Sequence, residues 1–340
     1  MDIKRLIEEM ARRDASDLYI ISGAPPTLRI NNRLETSEEY RKPLDSKQTL
    51  DLAFSTLSEQ QRDTFVKELE MNLAISYEGI GRFRLNVFYQ RNSVGMVVRQ
   101  VNYKIKNFEE LNLPPVLAKI SMEKNGLVLI VGGAGSGKST AMAAIIDYRS
   151  SNSGGHIITI EDPIEFIHSH KRSLITQREV GIDTQSYLLG AKHALRQSPD
   201  IIFIGEILDP EVMNIAMNFA ITGHLCLSTL HAENTIHAIE RVVSLFQMDM
   251  HERARILLSQ NLRAIIALRL YAGSESKLIP AVEVLVGTSK VREYLRVGDM
   301  NQVRKSMASG SPDGMQTFEQ SLSQLIREGR VSFADVLGAP

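Results

Sequence analysis

Residues 127–140 read LVLIVGGAGSGKST, and the helix-prone stretch AMAAIIDY (141–148) follows. The apolar run predicts a strand, so the order is strand, glycine-rich loop, helix. Gly132, Gly137, Lys138 and Ser139 fit the spacing G-x-x-x-x-G-K-[ST]. Glycines let such a loop turn its backbone N–H groups inward, and the following helix aims its N-terminus at the same point. That arrangement suits the phosphates of a nucleoside triphosphate. Lys138 is expected at the β- and γ-phosphates and Ser139 on Mg²⁺. Gly132, Gly135, Ser136, Gly137, Lys138, Ser139 and Thr140 form the expected nucleotide-binding set.

Bulk composition narrows the class. The chain has 340 residues, more than one ordinary core organises, so two domains are expected. Apolar residues make up 43% and charged residues 23%, as in a soluble globular protein. The net charge is −1, with 15 basic and 15 acidic residues in 1–102 and 24 against 25 in the remainder. Neither part has the basic excess of a nucleic-acid reader. One cysteine, Cys226, excludes an internal disulfide and a multi-cysteine zinc site, which fits a reducing cytoplasm. No apolar stretch approaches the length of a membrane span. MDIKRLIEEMARRDAS (1–16) lacks the features of a signal peptide. Its Ile3, Leu6, Ile7 and Met10 recur at helical spacing, which predicts an amphipathic helix packed on its own domain.

The chain reads as two blocks. In the first, LYII (18–21), TLRI (27–30), NLAISY (72–77), RFRLNVFY (82–89) and SVGMVVRQV (93–101) carry strand signals. Residues 44–70 read as helical, and Asn31-Asn32 as a turn before RLET. In RFRLNVFY, alternation places Phe83, Leu85, Val87 and Tyr89 on one face and Arg82 and Arg84 on the other. Arg99 lies on the next strand. This block, 1–102, is an α+β domain, and a polar linker with a Pro pair follows at 103–115. The remainder, 116–340, alternates strands with helices, which predicts a parallel sheet covered on both faces. Its expected strands are LVLIV (127–131), HIITI (156–160), IIFI (201–204), HLCLST (224–229) and PAVEVLV (280–286). The tail from 249 reads as helical, through Leu258, Leu262, Ile265 and Ile266 and then Phe318, Leu322, Leu325 and Ile326.

In open α/β sheets, ligands sit beyond the carboxyl ends of the strands. Glu161 and Asp162 follow HIITI, Glu206 follows IIFI after one glycine, and His224 and His231 bracket HLCLST. A carboxylate after an apolar strand, downstream of such a loop, holds Mg²⁺ through water, and Glu206 fits that task. Glu161 is the candidate to orient or deprotonate the attacking water. Asp162 fits a turn before Pro163. His224 and His231 are candidates for sensing the γ-phosphate. His168 and His170 read as a surface loop. Phosphoryl transfer also calls for a positive charge beyond the lysine, and Arg82, Arg84 and Arg99 are candidates to supply it across a ring of subunits. The other reading of those arginines is an ordinary solvated strand face.

GGAGSGKST, TIEDPIEFIH, TQREVGIDT, ALRQSPDIIFIGE and TGHLCLSTLHA together resemble the type IV pilus retraction ATPases, the PilT/PilU family of secretion ATPases, nearest the PilU type. SDLYIISGAPPTLRINNRL and GMQTFEQSL extend the likeness to nearly the whole chain. The resemblance implies a PAS-like N-terminal domain followed by a RecA-like ATPase domain. It implies ATP and Mg²⁺ as ligands, with Glu161 as catalytic glutamate in an Asp box (156–166). By the same likeness 200–206 form an atypical Walker B and 224–231 a His box, and Arg82, Arg84 and Arg99 are offered to a neighbour's nucleotide. It implies a homohexamer at the cytoplasmic face of the inner membrane. Its expected partners are the pilus platform protein and a second retraction ATPase, with no nucleic acid. Two positions depart from the family: Leu208 stands where an arginine is common, and Val297 closes KVREYLRV (290–297) where a glutamate is common. The rival reading is a non-hydrolysing nucleotide-binding subunit that modulates another motor.

Overall fold

The computed structural model describes residues 2–31, 33–101, 104–273, 278–333 and 336. Two compact units divide the chain, 1–103 and 104–340. The first contains α1 (Ile3–Arg12), β1 (Asp17–Ile20), β2 (Thr27–Ile30), β3 (Arg33–Thr36), α2 (Ser46–Ser55), α3 (Glu59–Glu68), β4 (Glu70–Tyr77), β5 (Gly81–Gln90) and β6 (Ser93–Gln100). The strands form an antiparallel sheet in the order β3-β2-β1-β6-β5-β4. Ile3, Leu6, Ile7 and Met10 bury the apolar face of α1 in this unit's own core. The stretch expected as one helical region over 44–70 is two helices. Ser58 starts the second with a reciprocal cap to Gln61, which breaks the run. Asn32, half of the expected Asn31-Asn32 turn, lies outside the described residues.

The second unit contains α4 (Val116–Ser121), β7 (Gly126–Val131), α5 (Lys138–Asn152), β8 (Gly155–Glu161), β9 (Ser173–Glu179), α6 (Tyr187–Ala194), β10 (Ile201–Ile204), α7 (Pro210–Ile221) and β11 (Leu225–Leu230). It continues with α8 (Thr235–Ser244), α9 (His251–Asn261), β12 (Leu262–Ala272), β13 (Leu278–Val286), α10 (Ser289–Val297), α11 (Met300–Ser309) and α12 (Phe318–Arg327). The sheet order is β13-β12-β7-β11-β10-β8-β9, parallel except for β13 against β12. Both faces are covered. Leu127, Leu129 and Val131 of β7 join one core, while Val128 and Ile130 join the other.

Two expectations are corrected here, and one strand appears that none anticipated. Residues 262–272 are a strand, although the tail from 249 read as helical. Leu262, Ile265 and Ala267 face one core and Ala264, Ile266 and Leu268 the other, so the strand is apolar on both sides and shows no alternation. β9 carries Ser173, Thr176, Gln177 and Glu179 and had no apolar run to announce it. The stretch 104–115 is packed rather than free, because Phe108 and Leu113 are buried in the second unit's core. Residues 102–103, at the linker's start, lie outside the described residues. No helix among the described residues is long and apolar enough to cross a membrane.

Candidate nucleotide site

The parallel strands bring their carboxyl ends to one edge. β7 leads into the glycine loop, β8 ends on Glu161, β10 leads to Glu206 and β11 to His231. Lys138, Ser139, Glu161, Glu206 and His231 line one cavity of about 230 Å³ there. With Gly135, which also lines it, six of the expected site residues meet.

The loop is shaped by close approach. At Gly132, with φ at 153°, a Cβ would stand 2.3 Å from Ser136 Oγ and 2.7 Å from the Leu268 carbonyl of β12. α5 begins after Gly137 with no side chain capping its first N–H groups. The helices α2, α3, α6, α7, α8, α10, α11 and α12 all have such a cap. Ser136 Oγ is buried and has no partner among the described residues. Lys138 Nζ donates to the carbonyls of Gly132 (2.9 Å) and Gly133 (2.7 Å), and burial lowers its pKa. Open N–H donors, an orphaned hydroxyl and one ammonium held only by loop carbonyls fit a phosphate chain. On the loop's other flank Ser136, Gly137 and Thr140 border a second cavity of about 190 Å³, walled by Leu268, Leu270 and Pro280. Two of those walls belong to β12, so the sequence reading missed this cavity with its strand.

Among the described residues Glu161 is held through one carboxylate oxygen. Its Oε1 accepts from Thr159 Oγ1 (2.6 Å) and Gln177 Nε2 (3.1 Å). Burial lifts its carboxyl to about 7, assisted by the charges of Glu165 and Glu179. A carboxylate tuned near neutrality can accept a proton at working pH. Glu206 lies opposite, with His231 Nε2 at 2.9 Å from its Oε1. Its loop is anchored from β11: Ser228 Oγ donates to the Ile204 carbonyl and Thr229 Oγ1 to the Gly205 carbonyl, both at 2.6 Å. The glycine before Glu206 has a steric cause, since a Cβ at Gly205 would stand 3.0 Å from the Tyr187 hydroxyl and 3.1 Å from the Ile160 carbonyl.

Not every candidate arrives. His224 precedes β11, at the amino edge of the sheet, roughly 20 Å along the strand from its carboxyl end. It packs edge-on against Phe219 and bonds Thr222, so it does not reach this chain's phosphate loop. His168 is no surface residue: it is buried in the cavity wall, and burial lowers its pKa to about 4. His170 is exposed and its Nδ1 accepts from the Ile175 N–H. Asp162 lines the cavity, and so do Glu165 and Tyr187, which sequence reasoning did not single out. The pair E-D-x-x-E was visible in TIEDPIE; Tyr187 and Gln177 had no local signal.

Arg82, Arg84 and Arg99 belong to the first unit. Phe83, Leu85 and Val87 are buried as parity required, and Arg82 and Arg84 take the opposite face. Arg84 stands across from Arg99 in the β5–β6 ladder, and Arg99 Nε donates to Asp17 Oδ1 at 2.7 Å.

The family model described as Type II/IV secretion system protein matches residues 2–277. The chain belongs to this family. Among relatives of this secretion system protein, the Pseudomonas aeruginosa type IV pilus ATPase PilU is 45% identical over 99% of this chain and 88% of its own length. The type IV pilus retraction ATPase PilT of the same organism is 36% identical over 98% and 96%. The crystal structure of the pilus retraction motor PilT with bound ADP superimposes with a TM-score of 0.93 at 36% identity, covering 100% of this chain and 97% of that one. The Legionella pneumophila ATPase DotB, 24% identical with a TM-score of 0.84 over 99% and 96% of the two chains, shares the fold. In this secretion system protein both departing positions are on the surface, Leu208 at 57% exposure and Val297 at 64%. Arg292 of α10 instead turns inward, its Nη2 donating to the Leu262 carbonyl at 3.1 Å.

Proposed function

We propose that this chain is an ATP-hydrolysing motor, working as a closed ring of six, that powers or assists type IV pilus retraction from the cytoplasmic side of the inner membrane. One observation carries the reading. A half-held carboxylate, Glu161, and the pair Glu206–His231 line one cavity with Lys138, its one lysine, at an uncapped helix N-terminus. The relatives named as pilus ATPases support both the pilus assignment and hydrolysis.

The loop N–H groups and Lys138 bind the phosphate chain, with Ser136 Oγ as a further donor. Thr140 and the apolar slot formed by Leu268, Leu270 and Pro280 border the place for the nucleoside. Ser139 and Glu206 would hold Mg²⁺, which when bound neutralises charge on the β- and γ-phosphate oxygens. Glu161 orients a water and takes its proton on the unheld oxygen. His231 leaves Glu206 free to turn when a cation or phosphate competes for it. Arg82, Arg84 or Arg99 of a neighbouring copy would supply the remaining positive charge. The platform protein at the base of the pilus and a second retraction ATPase are the partners this role calls for.

The test is a pair of variants. Glu161→Gln is expected to bind Mg·ATP and to lose at least about 100-fold in turnover, since an amide is no base. Glu206→Ala is expected to weaken Mg²⁺-dependent binding first. Wild-type turnover in Glu161→Gln, with a dead but tightly binding Glu206→Gln, would exchange the two roles. No turnover by the wild-type chain under any assembly condition would favour the accessory, non-hydrolysing reading.

A further inference from the structure

Gln177 makes three hydrogen bonds with one amide. Its Nε2 donates to Glu161 Oε1 (3.1 Å) and to the Phe166 carbonyl (2.9 Å). Its Oε1 accepts from the His168 N–H at 2.8 Å. The partners fix the amide's orientation. Turned over, the oxygen would face two acceptors and the NH₂ group a donor. The placement follows from strand register. Thr159 pairs with Gln177 across the parallel β8–β9 ladder, and Thr159 and Glu161, two apart, share a face. Both donors thus reach the same carboxylate oxygen. Among the described residues nothing donates to Glu161 Oε2.

We propose that Gln177 is a positioning residue for hydrolysis: it pins Glu161 by Oε1 so that Oε2 is the oxygen presented to the attacking water, and it couples that orientation to the loop 162–168. This rests on Glu161 being the base. The loop carries Asp162, Glu165 and the buried His168 of the cavity wall. Gln177 grips it at both Phe166 and His168, so carboxylate and loop move as one body. Gln177 lies outside the phosphate-binding loop and touches none of the groups expected on the nucleotide other than Glu161.

The experiment uses the full chain with Gln177→Glu and Gln177→Met. The first keeps the shape and replaces the donor by an acceptor; the second keeps the volume without polar atoms and serves should a second carboxylate unfold the site. Each is expected to lower kcat roughly 10- to 100-fold, as a misplaced reacting group does, with Mg·ATP affinity within about threefold of wild type, the scatter of a site whose phosphate contacts are intact. Gln177→Glu should also move the acid limb of the kcat profile to higher pH, because a second negative charge disfavours ionised Glu161. Without nucleotide, hydrogen exchange of the amides over 164–168 should speed up in both variants. Wild-type kcat and pH profile in Gln177→Glu would overturn the proposal, as would unchanged exchange over 164–168. A parallel Glu161→Gln sample separates the failures. If it is inactive while the Gln177 variants behave as wild type, the clamp falls and the base stands; if it turns over normally, the base assignment itself falls.

Discussion

In the first unit the sheet is antiparallel and buries one face, while in the second it is parallel and buries both. The difference decides where charge can go. On the first sheet's open face a single ladder row runs Arg84, Arg99, Asp17, Arg29 across four strands. Asp17 is buried and engages Arg99 at 2.7 Å and Arg29 at 3.6 Å, so two of the row's three arginines share one carboxylate. The second sheet has no face to spare: Glu283, inside β13, is buried and accepts from Thr235, while the carboxylates of the candidate site stand at strand ends. There the excess is reversed: Glu161, Asp162, Glu165 and Glu206 line a cavity whose lining includes no lysine or arginine but Lys138. Each unit is close to neutral as a whole, so the contrast lies in local clusters, arginines on the first sheet's row and carboxylates in the second unit's cavity. That contrast is what the proposal of arginines supplied by a neighbouring copy rests on.

Removing the lone cation should have the largest effect. Lys138→Ala is expected to abolish hydrolysis and most nucleotide affinity, measured by steady-state turnover and by equilibrium binding. Normal turnover would mean the carboxylate cavity does not need its lysine. The two histidines that flank β11 sharpen the contrast within the second unit. His231→Ala frees Glu206 and should cost at least about tenfold in turnover. His224→Ala, at the far edge, should leave kcat within about twofold and cost about 1 kcal/mol of stability from its ring contact with Phe219. Equal losses in the two would break the assignment of one working edge.

A separate effect, on stability rather than turnover, concerns Glu161 itself. Burial lifts its carboxyl from 4.5 to about 7, so between those values the folded chain holds a proton that the unfolded chain has released. Stability therefore falls as pH rises through that window. Glu161→Gln lacks this titration and should gain on wild type by up to about 3 kcal/mol between pH 5 and 8 in denaturant melts without nucleotide. A pH-independent difference would mean that the carboxyl is not perturbed in the folded chain.

What the sequence made legible follows the same division. Alternation in RFRLNVFY placed Arg82 and Arg84 correctly because a one-sided sheet writes its two faces into the sequence. Glycine and charge spacing placed Lys138, Ser139, Glu161 and Glu206 because a phosphate site needs those types in order along the chain. Leu262–Ala272 was misread because a strand buried on both faces loses its period, and helical spacing then fits by coincidence. His224 was misplaced because the sequence shows that two histidines bracket a strand but not that a parallel strand has only one working end. Gln177 and Thr159 were invisible, since their meaning lies in the β8–β9 register, which no local pattern encodes.

Complementation between two inactive chains tests the shared site most directly. One chain carries Arg82→Ala with Arg84→Ala and an intact cavity; the other carries Lys138→Ala and intact arginines. ATP turnover is measured for each alone, for the mixture and for wild type over a range of protein concentrations, with light scattering on the same samples. Each variant alone should be nearly inactive. The mixture should recover part of the wild-type rate, and wild-type specific activity should rise steeply with concentration as rings form. Full activity in a demonstrably monomeric sample, or undiminished turnover in the double-arginine chain, would contradict a site completed between subunits and leave Arg82 and Arg84 as solvated charges on a strand.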